Sequence, residues 1–189
     1  MDYPSFFNQF HPLELNSINS LLSRCIPKTA RKGDLITAEG SIQRELLLVE
    51  EGIQMSYYTS EEGKQHVMAF TYPPSLSGIP NSFFFQKPSA YTLQALTDSV
   101  FKALPYQALM ELFEEDRQIE RLFRRITEFT LAGMIDRHLE LHAYSIEQRF
   151  RLFAQRSPHL FQLIPHKYIA NYLHIDPTNF SKLFNSIRI

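Results

Sequence analysis

The sequence of 189 residues contains a single cysteine, Cys25, and its apolar runs are all short. One thiol excludes an internal disulfide and any cluster that needs several thiolates from one chain, and it fits a reducing cytoplasm. No apolar run approaches the roughly eighteen residues of a membrane-spanning helix. The N-terminus also lacks the charged-then-apolar order of a signal peptide. We therefore expect a cytoplasmic protein with no membrane partner.

Catalytic motifs are missing as well. The sequence contains no glycine-rich phosphate loop, no nucleophile elbow and no metal triad. It also has no pair of carboxylates at a spacing that would indicate acid–base catalysis. His138 and His142 stand four residues apart on a predicted helix, which could hold a metal, but no third ligand accompanies them. The sequence predicts no enzymatic activity, no metal and no cofactor.

Charge is distributed unevenly along a chain that is 44% hydrophobic and long enough for a medium domain plus a small one. Residues 1–115 carry eight basic against thirteen acidic side chains, residues 116–144 five against five, and residues 145–189 six against two. The net charge of −1 therefore conceals a basic C-terminal end. A phosphate backbone would attract only that end.

The first half of the chain changes from a helical pattern to strands. Residues 5–25 are predicted to be helical, and residues 28–104 consist of short runs punctuated by turn residues. The predicted strands are 46–49, 54–59 and 65–72 around the Glu61-Glu62-Gly63-Lys64 turn, 91–96, and 100–104. Many short strands at this spacing indicate a sandwich or a rolled barrel.

A long helical pattern follows Pro105. Apolar residues at three- and four-residue spacing form a seam of the kind that contacts a partner helix; they are Ile119, Leu122, Ile126, Phe129 and Gly133. Further apolar residues widen this surface, which gives the helix two stripes that need two surfaces; they are Phe123, Leu131, Met134 and Ile135. We predict a parallel homodimer through this helix, and a helix that packs only on its own barrel is the alternative.

Residues 165–189 predict two short helices joined by a tight turn. Asp176 is a suitable N-cap, and Pro177 fits the first helical position. At the turn, near His174, the backbone is expected to need a positive φ. The second helix has an apolar side and a polar side; the polar side carries Thr178, Ser181, Lys182, Asn185 and Arg188. Such an arrangement is typical of a DNA-reading helix-turn-helix, although packed helices at a domain edge can show the same pattern.

The order of these segments resembles the Crp/Fnr family of bacterial transcription regulators, whose sensor is a cyclic-nucleotide-binding-type domain. The resemblance covers nearly the whole chain and is carried by Lys32-Gly33-Asp34-Leu35-Ile36, Glu39-Gly40, residues 46–52, residues 61–64, and the segments 87–91 and 95–99. It implies an α+β fold in three parts. These are an N-terminal helix and cyclic-nucleotide-binding-like β-roll (jelly roll) at 1–115, a long dimerisation helix at 116–144, and a small all-α helix-turn-helix domain at 145–189.

The resemblance also implies a ligand pocket at Ser77, Gly78, Ile79, Asn81, Pro88, Ser89 and Ala90. Cyclic-nucleotide binders of the family have a Gly-Glu pair, for the ribose hydroxyl, where this chain has Gly78-Ile79. These binders also have an arginine, which binds the phosphate, at the position of Pro88 in this chain. A buried phosphate without its cation costs on the order of several kcal/mol, so we predict no tight binding of cyclic AMP or cyclic GMP. The pocket would be empty, filled by Phe83, Phe84 and Phe85, or adapted to a neutral or apolar ligand.

The predicted function is that of a dimeric regulator that binds an inverted-repeat DNA operator, with RNA polymerase as a further partner and an effector of unknown identity. We assign base edges to Thr178, Ser181, Lys182 and Asn185, and phosphates to His166, Lys167 and Arg188. The alternative is a degenerate sensor that dimerises and acts through a protein partner.

Overall fold

The computed structural model describes residues 2–187 and begins with two short helices, α1 (Tyr3–Asn8) and α2 (Leu15–Ser23). The sequence predicts one helix over 5–25, and the structure divides it. Pro12 lies in the break. A proline lacks a backbone N–H and disfavours a helical conformation at the residue before it, so the helical pattern is interrupted there.

Eight antiparallel strands form two four-stranded sheets, and a short helix, α3 (Pro80–Phe85), separates the sixth strand from the seventh. The strands are β1 (Ile26–Ala30), β2 (Leu35–Thr37), β3 (Glu45–Glu51), β4 (Gln54–Thr59), β5 (Gln65–Thr71), β6 (Ser75–Ser77), β7 (Thr92–Ala95) and β8 (Ser99–Pro105). The first sheet has the order β1-β8-β3-β6 and the second β2-β7-β4-β5. This arrangement confirms the predicted β-roll.

Strand β3 shows how the roll is packed, because both of its faces are buried. Leu47 and Val49 point between the two sheets, where Phe101 and Ile79 also lie. Leu46 and Leu48 point to the opposite face, which α1 and the later helices cover. Successive side chains of a strand alternate between faces. A continuous apolar run is therefore required at this position, and the sequence provides one.

Two helices follow the roll, α4 (Tyr106–Glu115) and α5 (Arg117–Ala143). Asp116 separates them and caps α5, since its side chain accepts a hydrogen bond of 2.8 Å from the backbone N–H of Gln118. The first turns of α5 lie on the roll and bury Ile119 and Leu122 completely. These two residues of the predicted dimer seam therefore pack in the core of their own chain and cannot meet a partner helix. Within residues 2–187, no helix is both long and apolar enough to cross a membrane.

The remaining four helices form a small unit: α6 (Ile146–Arg156), α7 (Leu160–Leu163), α8 (His166–Leu173) and α9 (Pro177–Ser186). Phe150, Phe161 and Phe180 form the centre of this unit. The same apolar cluster continues into Met55 and Val67 of the second sheet. The helical unit is thus packed directly on strands β4 and β5.

Gly52, in the turn after β3, provides a test of the packing within the roll, where it lies against Asp98 and Ser99. Its φ is +91°, and a Cβ added there would lie 2.5 Å from the carbonyl oxygen of Asp98. We expect Gly52→Ala to lower the free energy of unfolding by about 3 kcal/mol, since backbone strain and a steric clash act together. Gly33→Ala is the matched control, because Gly33 has a φ of +96° but an added Cβ would meet nothing within 4 Å. Its expected loss is about 1 kcal/mol. Equal losses in urea unfolding would contradict the predicted clash.

Candidate functional site

Helix α9 begins where the sequence predicts. The Asp176 side chain accepts a hydrogen bond of 3.0 Å from the backbone N–H of Asn179, and Pro177 occupies the first helical position. This backbone hydrogen bond is the main reason why the pKa of the exposed Asp176 carboxyl is lowered. The predicted N-cap is confirmed.

The turn between α8 and α9 is made by His174, which has a φ of +53°. The predicted positive φ is therefore confirmed at a residue that is not glycine. The His174 N–H donates to the carbonyl of Asn171, and the Ile175 N–H donates to that of Ala170, so the end of α8 is closed by hydrogen bonds. The pKa of His174 is lowered, first by burial and then by Arg137 and Arg149.

The polar side of α9 faces solvent. Four of its predicted members are exposed, namely Thr178, Ser181, Lys182 and Asn185. Arg188, the fifth, lies outside the described residues. On the opposite side Phe180 is buried, and Leu183 and Phe184 pack against the same cluster. The helix is therefore held by its apolar side and presents a row of small polar and basic groups.

The two predicted phosphate contacts on α8 differ in their surroundings. Lys167 is exposed, with its Nζ 4.9 Å from the centre of the Tyr168 ring. His166 is half-buried, with Nε2 donating to the carbonyl of Phe161 at 2.9 Å and its ring 4.3 Å from that of Phe184. The structure places His166 within the helical unit, and only Lys167 of this pair extends into solvent.

Three arginines of the basic C-terminal segment already bind other groups of the same chain. Arg151 pairs with Glu147 on α6, and Arg156 pairs with Glu140 at the end of α5. Arg149 is buried and donates to the carbonyls of Leu141, Tyr144 and His174. The net charge of the segment therefore overstates the cationic surface that a phosphate backbone could reach.

Asn171 attaches the first of the two helices to the β-roll. Its Oδ1 accepts from the backbone N–H of Val67 at 2.7 Å, and its Nδ2 donates to the carbonyl of Gln65 at 2.9 Å. β5 is the last strand of its sheet, and the amide satisfies edge groups that a further strand would otherwise bind. Sequence reasoning missed this residue, because an asparagine within a short amphipathic helix carries no distinguishing pattern.

Two buried residues, Ile79 and Gln43, lie at the predicted pocket of the roll. Ile79 is buried between the sheets at the position where the family's cyclic-nucleotide binders have a carboxylate. Gln43, which sequence reasoning also missed, accepts from the Ile79 N–H at 2.8 Å and donates to the carbonyl of Glu45 at 2.9 Å. A Cβ added at Gly78 would lie 2.5 Å from Gln43 Nε2. The polar groups of the pocket are thus paired with one another.

The other pocket candidates divide between the interior and the surface. Ser77 and Ser89 are buried, and the Ser89 hydroxyl donates to the carbonyl of Tyr91 at 2.7 Å. Asn81, Pro88 and Ala90 are exposed. The hypothesis that the phenylalanine run fills the pocket is wrong. Phe83 lies in the cluster under the helices, and Phe84 and Phe85 are exposed, because α3 turns this run away from the space between the sheets.

The sequence of this chain is similar to that of known proteins. Residues 27–116 match the family described as the cyclic nucleotide-binding domain. The chain is 26% identical over 148 residues to the fumarate and nitrate reduction regulatory protein of Yersinia pestis. That match covers 78% of this chain and 58% of the relative, so the chain spans less than two thirds of the length of this relative.

Solved structures show the same fold. FixK2 from Bradyrhizobium japonicum superimposes with a TM-score of 0.74 at 18% identity, over 85% of this chain and 83% of that one. The catabolite activator protein of Thermus thermophilus gives 0.60 at 20% identity, over 94% and 84%.

The fold joins a β-roll of cyclic-nucleotide-binding type, through a long helix, to a small helical unit that contains a helix-turn-helix. Residues 27–116 form a cyclic nucleotide-binding domain, and the chain as a whole is similar to regulators of the Crp/Fnr type, in agreement with the predicted resemblance.

We expect that cyclic AMP does not bind with micromolar affinity. Ile79 and Pro88 offer no charged partner to its ribose hydroxyl and phosphate, and the buried N–H of Ile79 is already hydrogen-bonded to Gln43. Calorimetric titration should give no saturable heat at micromolar nucleotide. A ligand that binds only the folded state raises the unfolding temperature, so millimolar cyclic AMP should also leave that temperature unchanged. Saturable micromolar binding would contradict the prediction.

Proposed function

We propose that the chain is a homodimeric regulator without enzymatic activity that reads an inverted-repeat DNA operator with α9. The observation that carries this proposal is the row of exposed polar side chains on α9, backed by the buried Phe180. Such a helix can enter a major groove without losing the contacts that hold it in place. Two copies would reach half-sites about 34 Å apart, one helical turn of DNA.

Exposed apolar residues on the second half of α5 support the dimer. Leu131, Ile135 and Leu139 recur every fourth residue and are 58%, 61% and 50% exposed. This stripe is separate from the one that Ile119 and Leu122 bury on the roll. A large exposed apolar face of this kind marks an interaction site.

Ile135→Glu is expected to produce a monomer, because the two-fold interface would bury two carboxylates without partners. The dissociation constant of the dimer should rise by about a hundredfold or more, measured by sedimentation equilibrium. Thr130→Glu, which adds the same charge on the opposite side of α5 at an exposed position, is the control and should remain dimeric. A dimeric Ile135→Glu protein would contradict the proposed interface.

For the DNA contacts we assign base edges to Thr178, Ser181, Lys182 and Asn185, and a phosphate to Lys167. Asparagine pairs well with adenine, and lysine with guanine. His166 is assigned to support of the helical unit, because its ring already donates to Phe161. RNA polymerase remains a predicted partner, and no observation among the described residues favours the alternative of a degenerate sensor.

Selection of bound fragments from the source genome should return an inverted repeat, which then serves as the probe for two variants. Lys167→Ala should weaken binding to all sequences alike and reduce the salt slope by about one, because one phosphate contact is lost. Asn185→Ala should change which base is preferred, with little effect on the slope.

Each of these variants is the control for the other in electrophoretic shifts at rising salt. Unchanged affinities for Lys167→Ala, or an unchanged base preference for Asn185→Ala, would contradict the assigned contacts. Failure of the selection to enrich any sequence would contradict the proposed function as a whole.

A further inference from the structure

A cleft of about 320 Å³ lies between the β-roll and the helical unit. The end of β5 and the start of β6 form one wall, and α6 and α8 form the other. Four aromatic side chains line the cleft, namely Phe70, Tyr72, Phe153 and Tyr172. The volume is at the lower end of the range for small-molecule sites, roughly 300 to 1,000 Å³. One aromatic ring system with a short substituent would fill it.

The charge around this cleft is unbalanced. Glu140 is nearly buried and pairs with both Arg137 and Arg156, and the buried Arg149 lies close enough to Arg137 for the two to repel. Arg137 and Arg156 thus share one carboxylate, and Arg149 donates to backbone carbonyls instead. Positive charge therefore exceeds negative charge near the cleft, and such an excess attracts an anion.

Arg156 brings this charge into the cleft itself. It lines the cleft, its side chain is 47% exposed, and its bond to Glu140 uses Nη1 at 3.0 Å. A guanidinium has five N–H donors in a plane, so the remaining donors can bind a carboxylate through two parallel hydrogen bonds. The side chain is therefore both held in position and able to accept a further anion.

Hydroxyl groups complete the lining. The buried Oγ of Ser75 has no hydrogen-bond partner within residues 2–187. An unpaired buried hydroxyl is costly, so a polar group of a ligand that reached it would relieve that cost. Tyr72, which follows β5, and Ser157, which follows α6, share a hydrogen bond of 2.6 Å that connects the two walls. The cleft thus combines aromatic walls, one cation and one unsatisfied hydroxyl.

We propose that this cleft binds a small aromatic carboxylate, with the ring between Phe70, Phe153 and Tyr172 and the carboxylate on Arg156. The aromatic walls select a flat apolar ring, and the excess positive charge selects an anion over a neutral analogue. The ligand contacts the sheet and the helical unit together. It therefore stabilises the arrangement in which the two are packed on each other. An effect of the ligand on DNA binding rests on the function proposed above, but the binding itself does not.

The probe for this site is 2-naphthoate, with 2-naphthamide as its neutral counterpart. The chain contains no tryptophan, so naphthalene emission can be followed with little protein background. We expect saturable binding of 2-naphthoate to the full chain, at least about tenfold tighter than that of the amide, because only the carboxylate gains charge-assisted hydrogen bonds. Equal affinities, or no saturable binding of 2-naphthoate up to millimolar concentration, would overturn the proposal.

Arg156→Gln should weaken 2-naphthoate at least about tenfold and leave 2-naphthamide unchanged, since only the anion loses its partner. Arg156→Lys should restore part of the affinity by returning the charge. Arg151→Gln is the matched control, because Arg151 lies on the same helix in an exposed pair with Glu147 and does not line the cleft. Unchanged naphthoate affinity in Arg156→Gln would overturn the proposed site.

A measurement on the unsubstituted protein keeps the test independent of how the variants fold. Nuclear Overhauser contacts should connect the naphthalene protons with the rings of Phe153 and Tyr172. Contacts with Tyr168 or Lys167 instead, on the other side of α8, would also contradict the site. Because these titrations use no DNA, their failure would leave the proposed regulator function standing, and failure of the genomic selection would leave the ligand site standing.

Discussion

The packing of the helical unit on strands β4 and β5 is the interaction on which the orientation of α9 depends. Met55, Tyr57 and Val67 of the sheet share one apolar cluster with Phe153 and Ile169 of the helices. About forty residues seldom bury enough surface to form a stable domain without help. The sheet therefore supplies part of the core of the helix-turn-helix unit. A change in the position of β4 or β5 would therefore alter the packing of the helices that hold α9.

Polar groups around this apolar contact determine its geometry. The two hydrogen bonds of Asn171 fix α8 along the edge of β5, and Glu140 links the end of α5 to α6 through Arg156. Desolvation offsets much of the Coulomb energy of a buried ion pair. Such groups therefore contribute more to the relative orientation of the helices than to the free energy of folding. Apolar contacts allow many relative positions of two surfaces, whereas directional hydrogen bonds permit few.

Features that depend on local sequence were predictable, and features that depend on distant partners were not. The N-cap at Asp176, the positive φ at His174 and the apolar run of β3 follow from backbone conformation and periodicity. The buried position of Ile119 depends on where the roll ends beneath α5, which periodicity alone does not reveal. Gln43 is likewise an ordinary polar residue in the sequence. Its role arises because folding brings Ile79, 36 positions away, to its side-chain oxygen.

The two sites of the molecule differ in how completely their polar groups are paired, and this difference indicates where a signal can enter. Within the roll, Gln43 and Ile79 leave a ligand with no buried charge to neutralise, and displacing them would break hydrogen bonds and apolar contacts already made. At the contact between the roll and the helical unit, positive charge exceeds negative charge and the hydroxyl of Ser75 lacks a partner within residues 2–187. A ligand can shift an equilibrium only by its difference in affinity for the two states. A movement of the helical unit relative to the roll would change the contact between them but need not change the interior of the roll. A ligand that binds at that contact, as proposed above, would therefore act directly on the position of α9.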